Sequence, residues 1–170
     1  MKGKRLLVNG AGRGNLGIMK AAKELGVYTI VTGLAGPCKE LADKTYPDVH
    51  PGHPDEVLKV AEQEHVDGAA ITCNDMGLES VGRCNDVLHL QGISEDVAKC
   101  AANKLYMKEK LVASGVRTAR FMNIHNQTEL NEAVSQLEFP VIVKATDLQG
   151  SRGICIVREK DMLKVAYEDL

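Results

Sequence analysis

The alternation of strand-like and helix-like segments over residues 5–87 is the feature that most restricts the fold of this chain. Compact apolar runs are separated by stretches in which apolar residues recur at helical spacing. A strand followed by a helix and another strand needs a long crossover, which makes the strands parallel. Residues 1–93 are therefore predicted to form an α/β domain, with a doubly wound, mostly parallel sheet covered by helices on both faces. The predicted strands are residues 5–9, 27–31, 45–48 and 68–73, and the predicted helices are residues 15–25, 54–65 and 76–87.

The composition excludes several classes of protein. Lysine and arginine number 21 against 23 aspartate and glutamate residues, and tryptophan is absent, so no basic surface or base-stacking platform for nucleic acid is expected. Five cysteines without a C-x-x-C pair indicate neither a disulfide framework nor a zinc site. No apolar run approaches the length of a membrane span or a signal-peptide core. We therefore expect a cytoplasmic protein with no nucleic-acid or membrane partner.

A glycine-rich turn follows the first predicted strand. Gly12, Gly14 and Gly17 match the G-x-G-x-x-G pattern, between a strand and a helix as a dinucleotide fingerprint requires. That fingerprint also needs an acidic residue at the end of the second strand, but no Asp or Glu occurs there before Glu40. Such a turn can instead serve helix packing, or an anionic group at the helix N-terminus that Arg13 would help to hold. A nicotinamide-dependent oxidoreductase domain stays an alternative.

Polar residues also follow the fourth predicted strand, at the edge where open α/β sheets bind ligands. Asn74 and Asp75 are candidate substrate contacts there, together with Gly12, Arg13 and Gly14, although Asn and Asp can equally cap the next helix. Cys73 is interpreted as a small core residue. The only paired histidines, His50 and His53, lie in a Pro/Gly loop without a third ligand, so no metal site is predicted.

From about residue 94 the pattern changes to a β-α-β-β-α order. Residues 139–157 (FPVIVKATDLQGSRGICIV) read as a buried strand that ends in Lys144, a polar loop with Gly150 and Gly153, and a second strand. The loop could bring its N–H groups to an anion beside the lysine. A β-hairpin with a long polar turn and a surface lysine is the alternative. The other predicted elements are helices at 95–101, 104–114 and 127–137, a strand at 120–124, and a helix from 159, with Met162, Leu163 and Ala166 facing inward.

Three stretches in this order (GAGRGNLG, NKLYMKEKLVASGV and EFPVIVKATDLQGSRGICIV) resemble the ATP-grasp superfamily. The likeness is greatest to the members grouped around biotin carboxylase and the large chain of carbamoyl-phosphate synthetase. The resemblance implies a Rossmann-like pre-ATP-grasp domain over residues 1–93, a helical linker over residues 94–114, and the first, small α+β lobe of an ATP-grasp domain over residues 115–170.

The resemblance also implies roles for particular residues. Lys104 and Lys144 match the two family lysines that bind ATP. The mobile loop that closes over the phosphates corresponds to Gln149, Gly150, Ser151, Arg152 and Gly153.

The implied reaction is activation of a carboxylate by ATP and Mg²⁺ to an acyl-phosphate, which an amine or ammonia then attacks. The family's metal ligands are expected beyond Leu170, so this chain carries no catalytic residues of its own in this interpretation. The chain would be an N-terminal part of a carbamoyl-phosphate synthase-like ligase, inactive alone, and a homodimer is compatible with the resemblance. A non-catalytic module that binds a small anion is a further alternative.

Overall fold

The computed structural model describes residues 1–148, 150 and 152–169. They form two compact units, Met1–Ala102 and Asn103–Leu170. The division between the units falls inside the predicted helical linker. Among the described residues, no helix combines the length and the apolar character that a membrane span requires.

The first unit is built on a four-stranded sheet in which all strands are parallel. Across the sheet the third strand of the chain is followed by the second, the first and the fourth, so the chain moves to one side of the first strand and then crosses to the other. The predicted parallel sheet is therefore confirmed, although the fourth strand is shorter than expected. The strands are β1 (Arg5–Val8), β2 (Tyr28–Thr32), β3 (Lys44–Tyr46) and β4 (Gly68–Ala70).

Helices cover both faces of this sheet because neighbouring strand residues point in opposite directions. Leu7 packs with Ile30 and Val57 on one face, whereas Val8 packs with Met19 on the other. Each of these side chains is fully buried. The helices are α1 (Leu16–Glu24), α2 (Pro54–Gln63), α3 (Leu78–Val87) and α4 (Glu95–Ala102), with short 3-10 turns at Arg13–Asn15, Pro37–Glu40 and Asp75–Gly77.

A buried carboxylate joins the end of α2 to β1 and β3. Glu64, directly after α2, is only 4% exposed. Its carboxylate accepts hydrogen bonds from Lys44 Nζ at 2.5 Å, from Tyr46 Oη and from the Arg5 guanidinium. Hydrogen bonds from Lys44 and Tyr46 hold the pKa of the Glu64 carboxyl below its ordinary value. The charge is thus compensated by three donors, as a buried ion requires.

The second unit consists of a two-stranded antiparallel sheet and helices that pack on one of its faces. Asn126 caps the helix Gln127–Gln136, and its Oδ1 accepts from Glu129 N at 3.0 Å. The core contains Leu130, Val157 and Leu163. The elements are α5 (Lys104–Ala113), α6 (Gln127–Gln136), β5 (Val141–Lys144), β6 (Ile154–Val157), a 3-10 turn at Lys160–Met162 and α7 (Leu163–Glu168).

Three expectations for the second unit are wrong in detail. Residues 120–124 form no strand, although Met122 and Ile124 do pack against the core. Strand β5 is not buried, since Ile142 is 60% exposed. Met162 faces outward and is 55% exposed, whereas Leu163 is buried. A two-stranded sheet covered on one face cannot bury both sides of its strands, which explains the exposure of Ile142.

Candidate functional site

The face of β5 and β6 that the helices leave uncovered carries apolar side chains beside a lysine. The strand register pairs Ile142 with Ile156 and Lys144 with Ile154. Paired residues share one face of a sheet, so all four lie on this open face. The exposed fractions of the three isoleucines are 60%, 61% and 47% for residues 142, 156 and 154. An exposed apolar surface with a cation at its edge suits a ligand that has a flat apolar part and an anionic part.

The hairpin loop, residues 145–153, begins directly after Lys144. Ala145 N donates to Gly153 O at 3.1 Å and closes its base. Gly150 and Gly153 have φ values of +66° and +59°, the left-handed region that glycine enters without steric cost. A Cβ at position 150 would meet nothing within 4 Å, so a ligand can approach the backbone there. Gln149 and Ser151 lie outside the described residues.

Lys104 contacts this loop from the first residue of α5. Asn103 caps the helix by accepting from Tyr106 N at 2.9 Å. Lys104 N donates to Thr146 O at 3.0 Å, and Lys104 Nζ donates to Leu148 O at 2.5 Å. The structure therefore brings Lys104 together with the predicted loop, although 40 residues separate Lys104 from Lys144 in the sequence.

These groups fit phosphate better than they fit a bare metal ion. The ammonium groups of Lys104 and Lys144 and the exposed Arg152 supply positive charge around a glycine-containing loop. Magnesium would need oxygen ligands, usually carboxylates. The described residues contain no group of three or more His, Cys, Asp or Glu side chains able to hold a metal ion, so they do not fit a magnesium site by themselves.

A second cluster of candidates lies at the carboxyl edge of the first unit, where the chain leaves β1, β2 and β4. Asn9 is fully buried there. Its Nδ2 donates to Pro51 O and Gly77 O, both at 2.9 Å, and its Oδ1 accepts from Thr32 Oγ1 at 2.6 Å. The side chain thus uses its hydrogen-bonding capacity to join the ends of several loops. Sequence reasoning predicts no role for Asn9, although a polar residue directly after an apolar run is a visible signal.

Of the three glycines in the first turn, Gly14 packs against protein and the other two face open space. A Cβ at Gly14 would lie 2.6 Å from Cys73 Cβ, whereas a Cβ at Gly12 would meet nothing within 4 Å. A Cβ at Gly17, where a dinucleotide fingerprint needs glycine for helix packing, would meet nothing within 4 Å. At Gly14, the position where a pyrophosphate would approach the backbone, the geometry therefore favours loop packing as the reason for the glycine.

The predicted substrate contacts lie on two turns at this carboxyl edge, and their role stays a prediction. Gly14 packs directly against the residue after Thr72, so the turn at 12–14 and the turn at 74–75 are neighbours. Asn74 Oδ1 accepts from Met76 N at 3.2 Å, which is the capping role weighed above. Arg13 and Asp75 are exposed. The expectation that Cys73 belongs to the core is wrong, because β4 ends at Ala70 and Cys73 is exposed with φ +54°.

The contact between Gly14 and Cys73 predicts that substitutions at these two positions have non-additive effects on the free energy of unfolding. Gly14→Ala should cost about 1–3 kcal/mol of unfolding free energy, because the new methyl group overlaps Cys73 Cβ. In a Cys73→Gly background the same change should cost at least about 0.5 kcal/mol less. Urea denaturation of the four variants measures this. Gly17→Ala is the control, since an alanine in an open helical position should be neutral or stabilising. Equal costs of Gly14→Ala in both backgrounds would contradict the contact.

Comparisons with known proteins agree with this architecture. Residues 102–170 match the family described as phosphoribosylglycinamide synthetase, ATP-grasp (A) domain. The chain is 39% identical to phosphoribosylglycinamide synthetase from Anaerococcus prevotii, with a TM-score of 0.72, over 98% of this chain and 42% of that one. It is 27% identical to the carbamoyl phosphate synthase large chain of Campylobacter jejuni, over 85% of this chain and 14% of that protein.

A further relative is alanine–anticapsin ligase from Bacillus amyloliquefaciens. It is 25% identical over 140 residues, which are 76% of this chain and 29% of that ligase. The chain thus spans less than half the length of each of these three relatives. The relatives are ligases or synthases, and both compact units lie within the region matched to the Anaerococcus structure. Together the fold and these similarities show that the chain belongs to the ATP-grasp superfamily.

Proposed function

We propose that this chain binds the ATP phosphates for a ligase that joins a carboxylate to an amine or ammonia. The observation that carries the proposal is the placement of Lys144 on the open face, directly before a hairpin loop that Lys104 contacts. Because the chain spans only 42% of the matched synthetase structure, the proposal concerns a complete ligase that contains this region. We further propose that the magnesium ligands and catalytic residues of that ligase lie outside the described residues.

The proposed chemistry proceeds in two balanced steps. A carboxylate oxygen of the substrate attacks the γ-phosphorus of ATP, which forms an acyl-phosphate as ADP leaves. The amine nitrogen then attacks the acyl carbon, and the products are the amide, inorganic phosphate and a proton. In the first step Lys104 and Lys144 would neutralise charge on the phosphate oxygens, and loop N–H groups would orient them.

The isoleucines of the open face give the proposal a second part. Ile142, Ile154 and Ile156 would pack against the purine ring, while Lys144 reaches the phosphates. Burial of these partly exposed side chains would contribute to affinity at about 25 cal/mol per Å² of apolar surface removed from water. No sequence motif pointed to these residues, because their importance depends on which face of the hairpin the helices leave uncovered.

Trapping of the acyl-phosphate tests the reaction class. The complete ligase would be incubated with ATP, Mg²⁺, hydroxylamine and one of a series of amino acids, beginning with glycine, L-alanine and L-arginine. We expect a hydroxamate and ADP in equal amounts with the correct carboxylate, and neither product without it. ADP formation that needs the carboxylate but never yields hydroxamate would contradict an acyl-phosphate. The identities of the carboxylate and the amine, and a homodimer of the complete ligase, stay predictions.

The oxidoreductase and anion-sensing alternatives have less support. Gly14, the glycine of the pattern that would let a pyrophosphate approach the backbone, packs against Cys73 instead. For the anion-binding module, the exposed Arg13 is the only cation among the five predicted substrate contacts. Neither alternative accounts for the arrangement of Lys104, Lys144 and the hairpin loop in the second unit.

The left-handed conformation of Gly153 predicts a selective loss of ATP binding. Gly153→Ala should raise KM for ATP about tenfold in the complete ligase, because an L-residue at φ +59° strains the loop that would hold the phosphates. Gly115→Ala is the matched control. Gly115 has φ +70° at the end of α5 and open space around it, so its replacement should cost similar stability and leave KM unchanged. Equal KM values for both variants would favour the simple hairpin turn.

A further inference from the structure

A hydrogen-bonded bridge connects the two turns of the carboxyl edge that carry the candidate substrate contacts. Asn15 is 2% exposed. Its Oδ1 accepts from Thr72 N at 2.7 Å, and its Nδ2 donates to Gly10 O at 2.7 Å. Thr72 Oγ1 completes the bridge by donating to Gly14 O at 2.7 Å. One threonine and one asparagine therefore set the separation between the turn after β1 and the turn after β4.

The bridge holds the second turn in an unfavourable backbone conformation. Cys73 has φ +54°, which costs a non-glycine residue roughly 1–2 kcal/mol. Such a conformation persists only where the surroundings impose it, and it is concentrated at functional sites. Thr72 is fixed on one side by Asn15, and Asn74 is fixed on the other by its bond from Met76 N. The strained residue thus lies between two anchored neighbours.

The groups that the bridge leaves available differ from the groups that form it. Asn9 and Asn15 are buried, and their side-chain amides donate to backbone carbonyls. Arg13 and Asp75 are exposed on the two bridged turns, and the described residues make no hydrogen bond or ion pair with either side chain. A small substrate with an anionic group would meet Arg13 on one turn while touching the other turn, so its affinity would depend on the distance between them.

We propose that Thr72, anchored by Asn15, is a positioning residue for the carboxylate substrate, because it fixes the turn that carries Arg13 relative to the turn that carries Asp75. This inference rests on the proposed function in so far as it names a carboxylate. Thr72 itself does not need to touch the substrate. A loss of its hydroxyl should widen or loosen the space between the turns, which lowers substrate affinity without changing ATP binding.

Three substitutions separate this role from a general effect on stability. Thr72→Val removes the hydroxyl at nearly constant shape, and Thr72 is exposed, so the variant should fold. Thr72→Ser keeps the hydroxyl and should restore wild-type behaviour. Thr29→Val is the matched control, because Thr29 Oγ1 also makes a side-chain hydrogen bond, to Asp43 Oδ2 at 2.9 Å, from the opposite end of the same sheet.

The first measurement needs no substrate. The rate at which 5,5′-dithiobis(2-nitrobenzoate) modifies Cys73 is followed in a background with Cys100→Ser and Cys155→Ser, since Cys38 and Cys84 are buried. We expect Thr72→Val to change this rate at least threefold, roughly the effect of one weak hydrogen bond, and Thr72→Ser and Thr29→Val to leave it near the wild-type value. An unchanged rate in Thr72→Val would overturn the proposal, because the bridge would not control the turn.

The second measurement uses the complete ligase with the carboxylate found by hydroxamate trapping. We expect Thr72→Val to raise KM for the carboxylate about tenfold, with KM for ATP and kcat within twofold of wild type and with rescue by Thr72→Ser. A changed thiol rate with an unchanged carboxylate KM would overturn the substrate role. If no variant, wild type included, shows ATP-dependent turnover, the proposed function fails and the substrate role with it, whereas the thiol rates still report on the bridge itself.

Discussion

Lys144→Ala should lower kcat/KM for ATP by about 10²–10³-fold in the complete ligase, the usual consequence of removing one charged donor from a transferring phosphoryl group. Lys144 is the last residue of β5 and is exposed beside the open face. Its backbone pairs with Ile154, so the sheet fixes the point from which the ammonium reaches. No described residue forms a hydrogen bond or ion pair with this ammonium, so its removal should leave the fold unchanged.

The matched control for this prediction is Lys164→Ala. Lys164 is a lysine of the same unit whose side chain is 62% exposed, with an ion pair to Glu168 at 3.8 Å. An exposed pair of this kind contributes little to stability, so the control should keep wild-type kinetics. ATP turnover and thermal unfolding would be measured for both variants. If Lys144→Ala retains turnover within threefold of wild type, Lys144 is only a surface lysine on a hairpin.

The parallel sheet of the first unit could be predicted because its signals are local. Short apolar runs, helical spacing and glycines such as Gly26 at helix ends occur within each segment, and the crossover rule then fixes the strand direction. The sequence could not show that Asn9 and Asn15 would be buried. Their hydrogen bonds join residues up to 68 positions apart, and such contacts leave no pattern in neighbouring residues.

The candidate nucleotide site was predictable as a set of residues but not as a surface. Lys104, Lys144 and the glycines of the loop could be found through the resemblance to a family. The role of Ile142 and Ile156 could not, because a run of β-branched residues reads as a buried strand whichever face is covered. Only the position of α6 and α7 on the other face of the hairpin shows that the isoleucines are exposed.

Glu64→Gln should destabilise the first unit by about 2–3 kcal/mol at pH 7. Breaking a buried ion pair costs about 3–5 kcal/mol when it leaves an uncompensated buried charge. Here the groups left behind are Arg5 and Lys44, whose side chains are 33% and 44% exposed and can regain water, so we expect a smaller cost. The change would be measured as the shift in urea unfolding, followed through amide exchange in peptides from β1 and β3.

The loss of stability in Glu64→Gln should depend on pH, and the direction follows from the pKa of the Glu64 carboxyl. The pKa of the Glu64 carboxyl is lowered in the folded protein, so its contribution is complete above the unfolded pKa of about 4.3. The contribution is lost as the pH falls through the lower, folded value. The stability difference between wild type and Glu64→Gln should therefore be constant from pH 7 to about pH 5 and should shrink below about pH 4. Glu62→Gln is the control, since Glu62 lies in the last turn of α2, two residues before Glu64, but is exposed; it should give a difference near zero throughout. A Glu64→Gln difference that stayed constant down to pH 3 would mean that lost packing, rather than the carboxylate charge, holds β1, β3 and α2 together.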